Sequence, residues 1–413
     1  MDHPVNHFEN DLVAALSSNV KHISPKYFYD VQGSVLFDQI CDLPEYYPTR
    51  TEMSILSENS KAIAQHIGPQ AELIELGAGS LTKVRVLLRQ LELPTAFLPM
   101  DISGDYLRAA ARDLQKEFPK FAVSPIVADY THDWTLPDPL PETRRRIAFF
   151  PGSTIGNFLP AEVDTFFANC RKYLPGGALL LGVDLLKSPQ IIHQAYNDAQ
   201  GVTAAFNLNL LNRANQELNT NFDFSQYAHW AFYNAPQQRI EMHLVSLKRQ
   251  EIELNNQLFV FEEGETLHTE NSYKYSVDKV QKIAAKQGLK AGPVWTDPNH
   301  WFGLLWFDIP DFETTKGEKM KAIWNNQVLA ISDQTVVVEG NHYFPANALN
   351  KEFFQASAKQ TTCAWKGVAH YYDVAVSGRV NEAAAWFYPD PKPEAHQIAN
   401  HVAFWKGVSV TND

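Results

Sequence analysis

The chain has 413 residues, of which 45% are hydrophobic and 20% are charged, and its formal net charge is −12 at pH 7. This composition is typical of a globular protein and excludes an intrinsically disordered chain. An acidic chain without a basic run also lacks the charge pattern of proteins that bind nucleic acid or anionic membranes. The length exceeds one ordinary hydrophobic core, so two or three domains are expected.

Targeting and redox features predict a cytoplasmic protein. The first residues are polar and acidic, unlike a secretory signal. The longest apolar stretch, residues 178–186, is interrupted by Asp184 and is far shorter than a membrane span. The cysteines, Cys41, Cys170 and Cys363, are odd in number and widely spaced, which argues against a disulfide framework. We therefore expect an enzyme that works in a reducing compartment.

Residues 70–190 follow an aromatic-rich segment at 27–47 and alternate short apolar runs with longer amphipathic stretches. The apolar runs predict strands at 73–76, 96–100, 124–128, 147–150 and 178–183, and helical periodicity occurs at 81–91 and 106–118. This alternation predicts an α/β fold with a mostly parallel sheet that helices cover on both faces. Such sheets bind ligands at the carboxyl ends of their strands.

The remaining sequence predicts two further regions. A long helix is expected at 190–218, strands at 238–248, 251–262 and 272–275, a helix at 277–287 and a closing strand at 295–307. The polar run at 310–319 is typical of a linker. Beyond it, basic and acidic residues balance, and short strand-like runs occur at 327–332, 335–339, 370–376 and 384–388. We expect this last part to be a separate, mainly β domain.

Polar or glycine residues follow three of the predicted strands. Gly77 and Gly79 follow the first strand, where glycines let the backbone approach a ligand and the next amides face it. Asp101 ends the second strand, where a carboxylate can accept both ribose hydroxyls of an adenosine. Asp129 and Tyr130 end the third and can meet an adenine. Each feature alone is also explained by a tight turn or a helix cap. Together, without the third glycine of a dinucleotide fingerprint, they favour S-adenosylmethionine (SAM) as cofactor.

Several motifs occur in order over about the first 310 residues. They are YFYDVQGSVLF at 27–37, LPEYYPTR at 43–50, ELGAGSLTK at 75–83, GSTIGN at 152–157, AQGVTAAFN at 199–207, RIEM at 239–242 and TENS at 269–272. This series resembles the SAM-dependent histidine Nα-methyltransferases of ergothioneine biosynthesis. The resemblance implies a Rossmann-like class I methyltransferase fold with an added α+β substrate-binding lobe. It also implies methylation of the α-amino nitrogen of L-histidine, up to trimethylhistidine (hercynine).

The resemblance assigns roles to individual residues. Tyr29 and Phe37 would line the reacting amino group as catalytic residues, since the reaction needs alignment and rings that tolerate a growing cation. The substrate residues would be Asn157 and Tyr196 at the carboxylate, Tyr46, Glu270 and Ser272 at the imidazole, and Met242 in the pocket wall. The cofactor residues would be Gly77, Gly79, Lys83, Asp101, Asp129 and Tyr130.

Structural explanations stand beside these roles. Tyr29 and Phe37 are the kind of residue that fills a core, and so is Met242. Without the resemblance, Glu270 is better explained as an exposed strand acid paired with Lys274 on the same face. If Glu270 is a ligand, a buried carboxylate selects imidazole over an apolar ring, which would leave the carboxylate unpaired.

The C-terminal sequence carries its own motifs. These are HYFP at 342–345, TCAWKG at 362–367, HYY at 370–372, AAWFYP at 384–389 and VAFW at 402–405. They resemble a bacterial family known only as domain of unknown function 427. Cys363, close to Lys366, is either a reactive thiol or a small buried hydrophobe. A single cysteine does not make a zinc site, and no metal site is expected.

The expected organisation is a methyltransferase at 1–311, a linker at 312–319 and a small β-rich domain at 320–413. The methyltransferase would have its core at about 62–190 and its substrate lobe at 1–61 and 191–311. The expected partner is a small amino-acid substrate, and the chain would be a monomer or a weak homo-oligomer. The fused domain leaves open a different amino acid or a histidine derivative, such as a thiohistidine, as acceptor. A non-enzymatic sensor of SAM or of an amino betaine is a further alternative.

Overall fold

The computed structural model describes residues 7–79, 81–102, 104–131, 134–311 and 319–412. The chain divides into two compact units, the first within residues 1–308 and the second made of residues 309–413 with the short segments Thr135–Pro137 and Arg171–Gly177. Over the described ranges, no helix is both long enough and apolar enough to cross a membrane. The helices are α1 (His7–Ser17), α2 (Val31–Asp42), α3 (Tyr47–Ile67), α4 (Thr82–Leu88), α5 (Gly104–Glu117), α6 (Pro160–Tyr173), α7 (Pro189–Gln194), α8 (Val202–Leu218) and α9 (Val277–Lys286).

The strands of the first unit form three sheets. The strands are β1 (Ala71–Leu76), β2 (Ala96–Asp101), β3 (Ala122–Val123), β4 (Ile126–Val127), β5 (Arg145–Phe150), β6 (Ala178–Asp184), β7 (Tyr227–Asn234), β8 (Arg239–Ser246), β9 (Gln250–Leu254), β10 (Gln257–Phe261), β11 (Thr266–Tyr273), β12 (Lys290–Thr296) and β13 (Phe302–Asp308).

The largest sheet has the order β12-β13-β6-β5-β1-β2-β3, and β4 also pairs with β2. β1 pairs in parallel with β2 and β5, and β5 pairs in parallel with β6. β13 runs antiparallel to β6 and to β12. β1 and β6 are buried along their whole length, as strands covered on both faces must be. The Rossmann-like class I methyltransferase fold is therefore confirmed, with the carboxyl ends of the parallel strands at one edge.

One hydrophobic core cluster joins this sheet to its helices. Leu73, Phe97 and Leu180 from the strands pack with Ile63 of α3 and Leu107 of α5. The strand predicted at 124–128 is replaced by β3 and β4, which both pair with β2. The interruption contains Pro125, which has no N–H to donate to a sheet.

The prediction of a single helix at 190–218 is wrong in one respect, because the chain forms two helices, α7 and α8, with a break between them. In the break, the Asp198 carboxylate accepts hydrogen bonds from the backbone N–H groups of Val202 and Thr203, at 2.9 and 2.8 Å. These are orphan donors in the first turn of α8, and an acid is favoured there. Tyr196 lies in this break, which therefore matters for the site.

Two predicted single strands are hairpins. The run at 251–262 forms β9 and β10, which turn at Asn255 and Asn256 with φ of 51° and 56°. Two successive residues with positive φ are typical of a tight hairpin turn, and asparagine readily adopts this conformation. The run at 295–307 forms the end of β12 and nearly all of β13, which ends at Asp308. The strand predicted at 272–275 begins earlier, at Thr266.

The substrate lobe contains the antiparallel sheet β11-β8-β7 and the hairpin of β9 and β10. A second core cluster joins this sheet to the aromatic N-terminal segment and to α8. It contains Phe28, Phe206, Leu210, Met242 and Leu244. The predicted α+β lobe is therefore present, and Met242 faces its interior.

The second unit is mainly β, as predicted. Its strands form the sheets β15-β14-β22 and β16-β17-β21-β20-β19-β18. They are β14 (Met320–Trp324), β15 (Gln327–Ser332), β16 (Val336–Val338), β17 (Asn341–Pro345), β18 (Phe354–Cys363), β19 (Gly367–Val376), β20 (Arg379–Phe387), β21 (His401–Phe404) and β22 (Ser409–Asn412). Cys363 is half-buried and packs beside an apolar cluster with Trp365 and Trp386, while the ammonium of Lys366 pairs with Glu339.

Candidate active site

The loop after β1 has the close backbone approach expected of a cofactor site. Gly77 has a φ of +69°, and its N–H donates to the Met100 carbonyl at 2.9 Å. A Cβ at Gly77 would lie 3.2 Å from the Tyr130 hydroxyl. The N–H of Gly79 donates to a carboxylate oxygen of Asp101 at 3.2 Å. The structure thus brings Gly77, Gly79, Asp101 and Tyr130 together at the carboxyl edge of the sheet.

Asp129 and Tyr130 differ in their local roles. Asp129 accepts a hydrogen bond from the Thr131 N–H at 2.9 Å and lies 3.6 Å from the Lys26 ammonium. It therefore also shapes a turn. The Tyr130 ring meets Phe150 edge-on, with centroids 5.3 Å apart, and burial raises the pKa of its hydroxyl. This ring forms one wall beside Gly77.

Lys83 is held by a buried acid that the sequence alone did not indicate. Its ammonium lies 2.6 Å from a carboxylate oxygen of Glu52, which is fully buried on α3. Glu52 also accepts the Gly152 N–H at 2.9 Å. Close by, burial raises the pKa of Glu75 well above its ordinary value, Lys83 opposes this, and Glu52 adds to it. The cofactor edge therefore has an acidic cluster under its glycine loops, neutralised in part by Lys83.

Replacing Gly77 by alanine should weaken SAM binding about tenfold, because the left-handed backbone is strained and the new Cβ crowds Tyr130. Isothermal titration calorimetry would measure the dissociation constant. Gly68→Ala is the matched control, since Gly68 has a φ of +81° but nothing within 4 Å of a Cβ. It should lose stability without losing SAM affinity. Equal SAM affinity in the Gly77 and Gly68 variants would contradict this prediction.

The aromatic residues that were predicted to line the acceptor form a continuous wall. The rings of Tyr29 and Phe37 meet edge-on at 5.5 Å, Phe37 meets Tyr46 at 6.3 Å, and Tyr46 meets Tyr196 at 6.3 Å. Phe206 from α8 contacts Tyr29 and Phe37 at 5.8 and 6.0 Å. The residues expected to line the pocket are thus neighbours. Phe206 lies in one of the quoted motifs, but the resemblance assigns it no role.

The polar end of this wall is a hydrogen-bonded group around Lys274. The Tyr196 hydroxyl donates to Ser272 Oγ at 2.7 Å. The Lys274 ammonium donates to Ser272 Oγ at 2.7 Å and to the Tyr196 hydroxyl oxygen at 3.2 Å. It also lies 2.7 Å from Asp184 Oδ2, and both charged side chains are only 1% exposed. Lys274 is therefore a buried cation whose charge Asp184 balances.

The arrangement limits where hydroxyl protons can point. Lys274 has donors but no acceptor, so Ser272 and Tyr196 both accept from it. One hydroxyl proton is used in the bond between Tyr196 and Ser272. The hydroxyl proton of Ser272 makes no hydrogen bond among the described residues. Lys274 thus orients two predicted substrate residues without itself being predicted as one.

Asp184 and its partners were missed at the sequence level. Although burial acts against ionisation, Lys274 and Lys187 hold the pKa of Asp184 below its ordinary value. Tyr47 donates a hydrogen bond to Asp184 at 2.8 Å. The available signal was the charge that interrupts the apolar run at the carboxyl end of β6. The role of this charge could not be predicted, because its ion-pair partner Lys274 is 90 positions away in the sequence.

Glu270 lies on β11, opposite Met242 in the register with β8. It is 8% exposed, and burial raises the pKa of its carboxyl to about 7, although Lys274 opposes the shift. Burial raises the pKa of the Tyr29 and Tyr46 hydroxyls, and Glu270 adds to both shifts. The carboxyl is therefore close to the aromatic wall. The alternative in which Lys274 pairs with Glu270 is wrong, because Lys274 pairs with Asp184.

Asn157 ends a 3₁₀ turn, Thr154–Asn157, that follows β5. The turn packs tightly on β11, since a Cβ at Gly156 would lie 2.9 Å from the Tyr273 carbonyl oxygen. Asn157 is half-buried. The turn thus lies beside the strand that carries Glu270 and Ser272.

Comparisons with known proteins agree with this geometry. The family model described as histidine-specific methyltransferase, SAM-dependent, matches residues 8–309, and the domain of unknown function DUF427 matches residues 312–412. The chain is 41% identical over 300 residues to the histidine N-alpha-methyltransferase of Mycolicibacterium smegmatis, covering 71% of this chain and 92% of that protein. It is 37% identical to that of Mycobacterium tuberculosis, with the same coverage.

A more distant relative acts on a different acceptor. The 4-dimethylallyltryptophan N-methyltransferase of Claviceps purpurea is 26% identical over 322 residues, covering 71% of this chain and 93% of that protein. The family match over most of the chain and the identity to the two mycobacterial proteins agree with the sheet order and the glycine loop. The chain belongs to the SAM-dependent, histidine-specific methyltransferase family and is a SAM-dependent N-methyltransferase.

Proposed function

We propose that the chain methylates the α-amino nitrogen of L-histidine, up to trimethylhistidine. The observation that carries this proposal is Glu270, a buried carboxyl beside an aromatic wall with Ser272 on the same strand. A carboxylate in this position needs a donor, and an imidazole N–H supplies one where an apolar ring does not. The identity to the two histidine enzymes supports the same acceptor.

The reaction requires alignment rather than strong acid catalysis. Bound SAM supplies an electrophilic methyl group, and the substrate amine must be neutral to attack it. Tyr29 and Phe37 would line the amine, and their ring faces tolerate the cation that grows with successive methylations. Tyr196 and Asn157 would hold the substrate carboxylate, and Tyr46 and Met242 would complete the imidazole pocket. The aromatic wall and the tight turn at Gly156 support this arrangement.

On the cofactor side, we propose that Gly77 and Gly79 provide a close backbone approach to SAM. Asp101 would accept the ribose hydroxyls, and Asp129 and Tyr130 would meet the adenine. Lys83 would keep the glycine loops in place through Glu52. The contacts among Gly77, Gly79, Asp101 and Tyr130 support these assignments.

The experiment that tests the acceptor is mass spectrometry of reactions with SAM and a panel of histidine, 2-thiohistidine, tryptophan and tyrosine. We expect histidine to gain three methyl groups and tryptophan and tyrosine to remain unchanged. A preference for tryptophan would contradict the role of Glu270. A preference for thiohistidine would favour the second candidate described next.

The second candidate is the same chemistry on another amino acid or on a histidine derivative. It is favoured by the distant relative that acts on 4-dimethylallyltryptophan and by the additional C-terminal domain. That domain would then shape substrate choice. A purely sensing role is less favoured, because a binder needs affinity only, whereas the rings and hydroxyls described here also align an amine.

The pH dependence of kcat/KM for histidine should show the titration of Glu270 in the free enzyme. Its carboxyl is protonated below a pKa of about 7, so the carboxylate that accepts an imidazole N–H forms as pH rises. The value of kcat/KM for histidine should therefore rise through about pH 7. The substrate imidazole and amine titrate near this range for any enzyme. Glu270→Gln serves as control, and the ratio of wild type to variant should itself rise through about 7. A ratio independent of pH would contradict the assignment.

For the whole chain, we propose a methyltransferase at 1–311, a linker at 312–319 and a separate domain at 320–413. The boundary between the two matched family models, at 309 and 312, supports the division into two domains, while the proposed linker lies, except for residue 319, outside the described residues. We also propose that the protein works in the cytoplasm as a monomer or weak homo-oligomer, without binding nucleic acid. Its unpaired cysteines and net charge of −12 support this proposal.

A further inference from the structure

The outer face of the sheet β11-β8-β7 carries a group of side chains that the methyltransferase site does not use. Glu241 and His243 of β8 and His268 of β11 each offer one ligand atom, and these atoms lie within 4.8 Å of one another. We name this group the outer His–Glu cluster. Met242 and Glu270 point to the opposite, substrate side, because side chains alternate along a strand. The cluster is therefore behind the acceptor pocket.

A β-bulge explains why two histidines meet there. The register of β8 and β11 shifts between His268 and Glu270. This shift allows His268 to lie over His243, with ring centroids 4.5 Å apart and planes inclined by 11°. The bulge thus turns His268 away from the face that carries Glu270. Without the bulge, His268 and Glu270 would lie on the same face of the sheet.

The imidazole of His268 is oriented by a hydrogen bond from one nitrogen, whereas both nitrogens of His243 have a partner. His268 Nε2 donates to the Glu270 carbonyl oxygen at 3.0 Å, so Nδ1 carries the lone pair. His243 Nδ1 lies 3.2 Å from Thr266 Oγ1. An ion would bind His243 through Nε2 in place of the contact with Glu241, with the ring proton on Nδ1. Metal-binding histidines are commonly oriented in this way by their second nitrogen.

The carboxylate of Glu241 is also oriented by hydrogen bonds. Its Oε1 accepts from Arg239 Nη2 at 2.7 Å and from Asn234 Nδ2 at 2.8 Å. Its Oε2 lies 3.2 Å from His243 Nε2, so these two ligand atoms already face each other.

An unsatisfied oxygen beside the cluster is a second, independent observation. Asn271 lies directly opposite Glu241 in the register of the two strands and is 2% exposed. Its Oδ1 has no hydrogen-bond donor among the described residues. An unpaired buried oxygen costs free energy, and a nearby cation would remove that cost. The exposed ring of His22, with its centroid 4.9 Å from that of His268, lies at the outer side of the cluster.

We propose that Glu241, His243 and His268 bind a divalent transition-metal ion, for which Zn²⁺ is the best match. Two imidazoles and one carboxylate form a donor set that zinc prefers, with water or Asn271 left for the fourth position. A tetrahedral ion with bonds of about 2.1 Å holds its ligand atoms roughly 3.4 Å apart. Binding therefore draws the side chains together by rotation and replaces the bond between Glu241 and His243. The ion would link β8 to β11 behind Met242 and Glu270, and it would stabilise the folded state.

The test uses the full chain without a histidine tag, freed of metal with a chelator that is then removed. Zn²⁺ is titrated in competition with a chromophoric indicator near neutral pH, and thermal unfolding is recorded with and without Zn²⁺. We expect one tight equivalent of Zn²⁺ and a rise in Tm. His243→Gln and His268→Gln should each weaken Zn²⁺ affinity at least about tenfold, since even second-shell changes cost 10- to 100-fold.

His193→Gln is the matched control, because His193 is an exposed histidine at the end of α7. It should bind Zn²⁺ as the wild type does. Circular dichroism of the unbound variants checks that each is folded. If the wild type takes up no tight Zn²⁺, or if folded His243→Gln and His268→Gln variants bind it as tightly as His193→Gln, the proposal is overturned. Zn²⁺ that is bound by cysteines instead would leave the affinity of the His243→Gln and His268→Gln variants unchanged, which is the second of these results.

Discussion

Replacing Glu270 by alanine should lower kcat/KM for histidine by more than tenfold and leave SAM affinity unchanged. A hydrogen bond to a charged group is worth about 1.5–3 kcal/mol, which corresponds to roughly 10- to 150-fold. The carboxyl lies near Tyr29, Tyr46 and Tyr196, and the substrate ring would be left without its acceptor. Steady-state kinetics with histidine and calorimetry with SAM measure the two effects separately.

The control variant is Glu263→Ala, since Glu263 is an exposed acid in the same lobe. It should behave as the wild type. An aromatic acceptor without ring N–H groups supplies a second comparison, because its weak turnover should hardly change in the Glu270 variant. Unchanged histidine turnover after Glu270→Ala would show that the imidazole binds elsewhere in the pocket.

Replacing Lys274 by methionine should lower the free energy of unfolding by about 3 kcal/mol or more. Removing one partner of a buried ion pair leaves an uncompensated charge, which typically costs about 3–5 kcal/mol. Here the remaining charge is Asp184, which is 1% exposed and retains Lys187 and Tyr47 as partners. These partners place the expected loss at the lower end of the range. Urea unfolding followed by circular dichroism measures it.

The same variant should also raise KM for histidine, because Ser272 and Tyr196 lose the donor that orients their hydroxyl groups. The matched control is Lys279→Met, in which a solvent-exposed lysine of α9 is removed. That change should alter stability by no more than about 0.5 kcal/mol. A Lys274→Met protein as stable as the control would mean that the pair with Asp184 contributes nothing to the fold.

Some features of the fold were predictable from local patterns alone. The strands that become β1, β5 and β6 are short apolar runs bounded by polar residues, and their order implies a parallel sheet. The glycines at 77 and 79 and the acid at 101 follow strand ends, so they had to meet at the same edge of that sheet. Predictions failed where one apolar run contained a turn, as at Asn255 and Asn256, or where a helical pattern was interrupted, as before α8, which Asp198 caps.

Other features depended on which residues the tertiary structure brings together. Periodicity carries no information about which distant charges become partners, so the pair of Lys83 with Glu52 was not predictable. The same applies to the pair of Lys274 with Asp184. The register of β8 and β11 is set by packing of the whole lobe, and its single bulge decides that His268 faces outward.

The sequence by itself therefore determined the fold class, the sheet edge at which the predicted cofactor residues meet and, through the motif series, the family. Each of these depends on residues that are close together in the chain or follow a fixed strand order. Tertiary structure alone decided which buried charges balance each other around the acceptor pocket and how the outer His–Glu cluster forms. The physical reason is that such contacts join segments up to 90 positions apart, and their geometry depends on sheet register and burial rather than on local pattern.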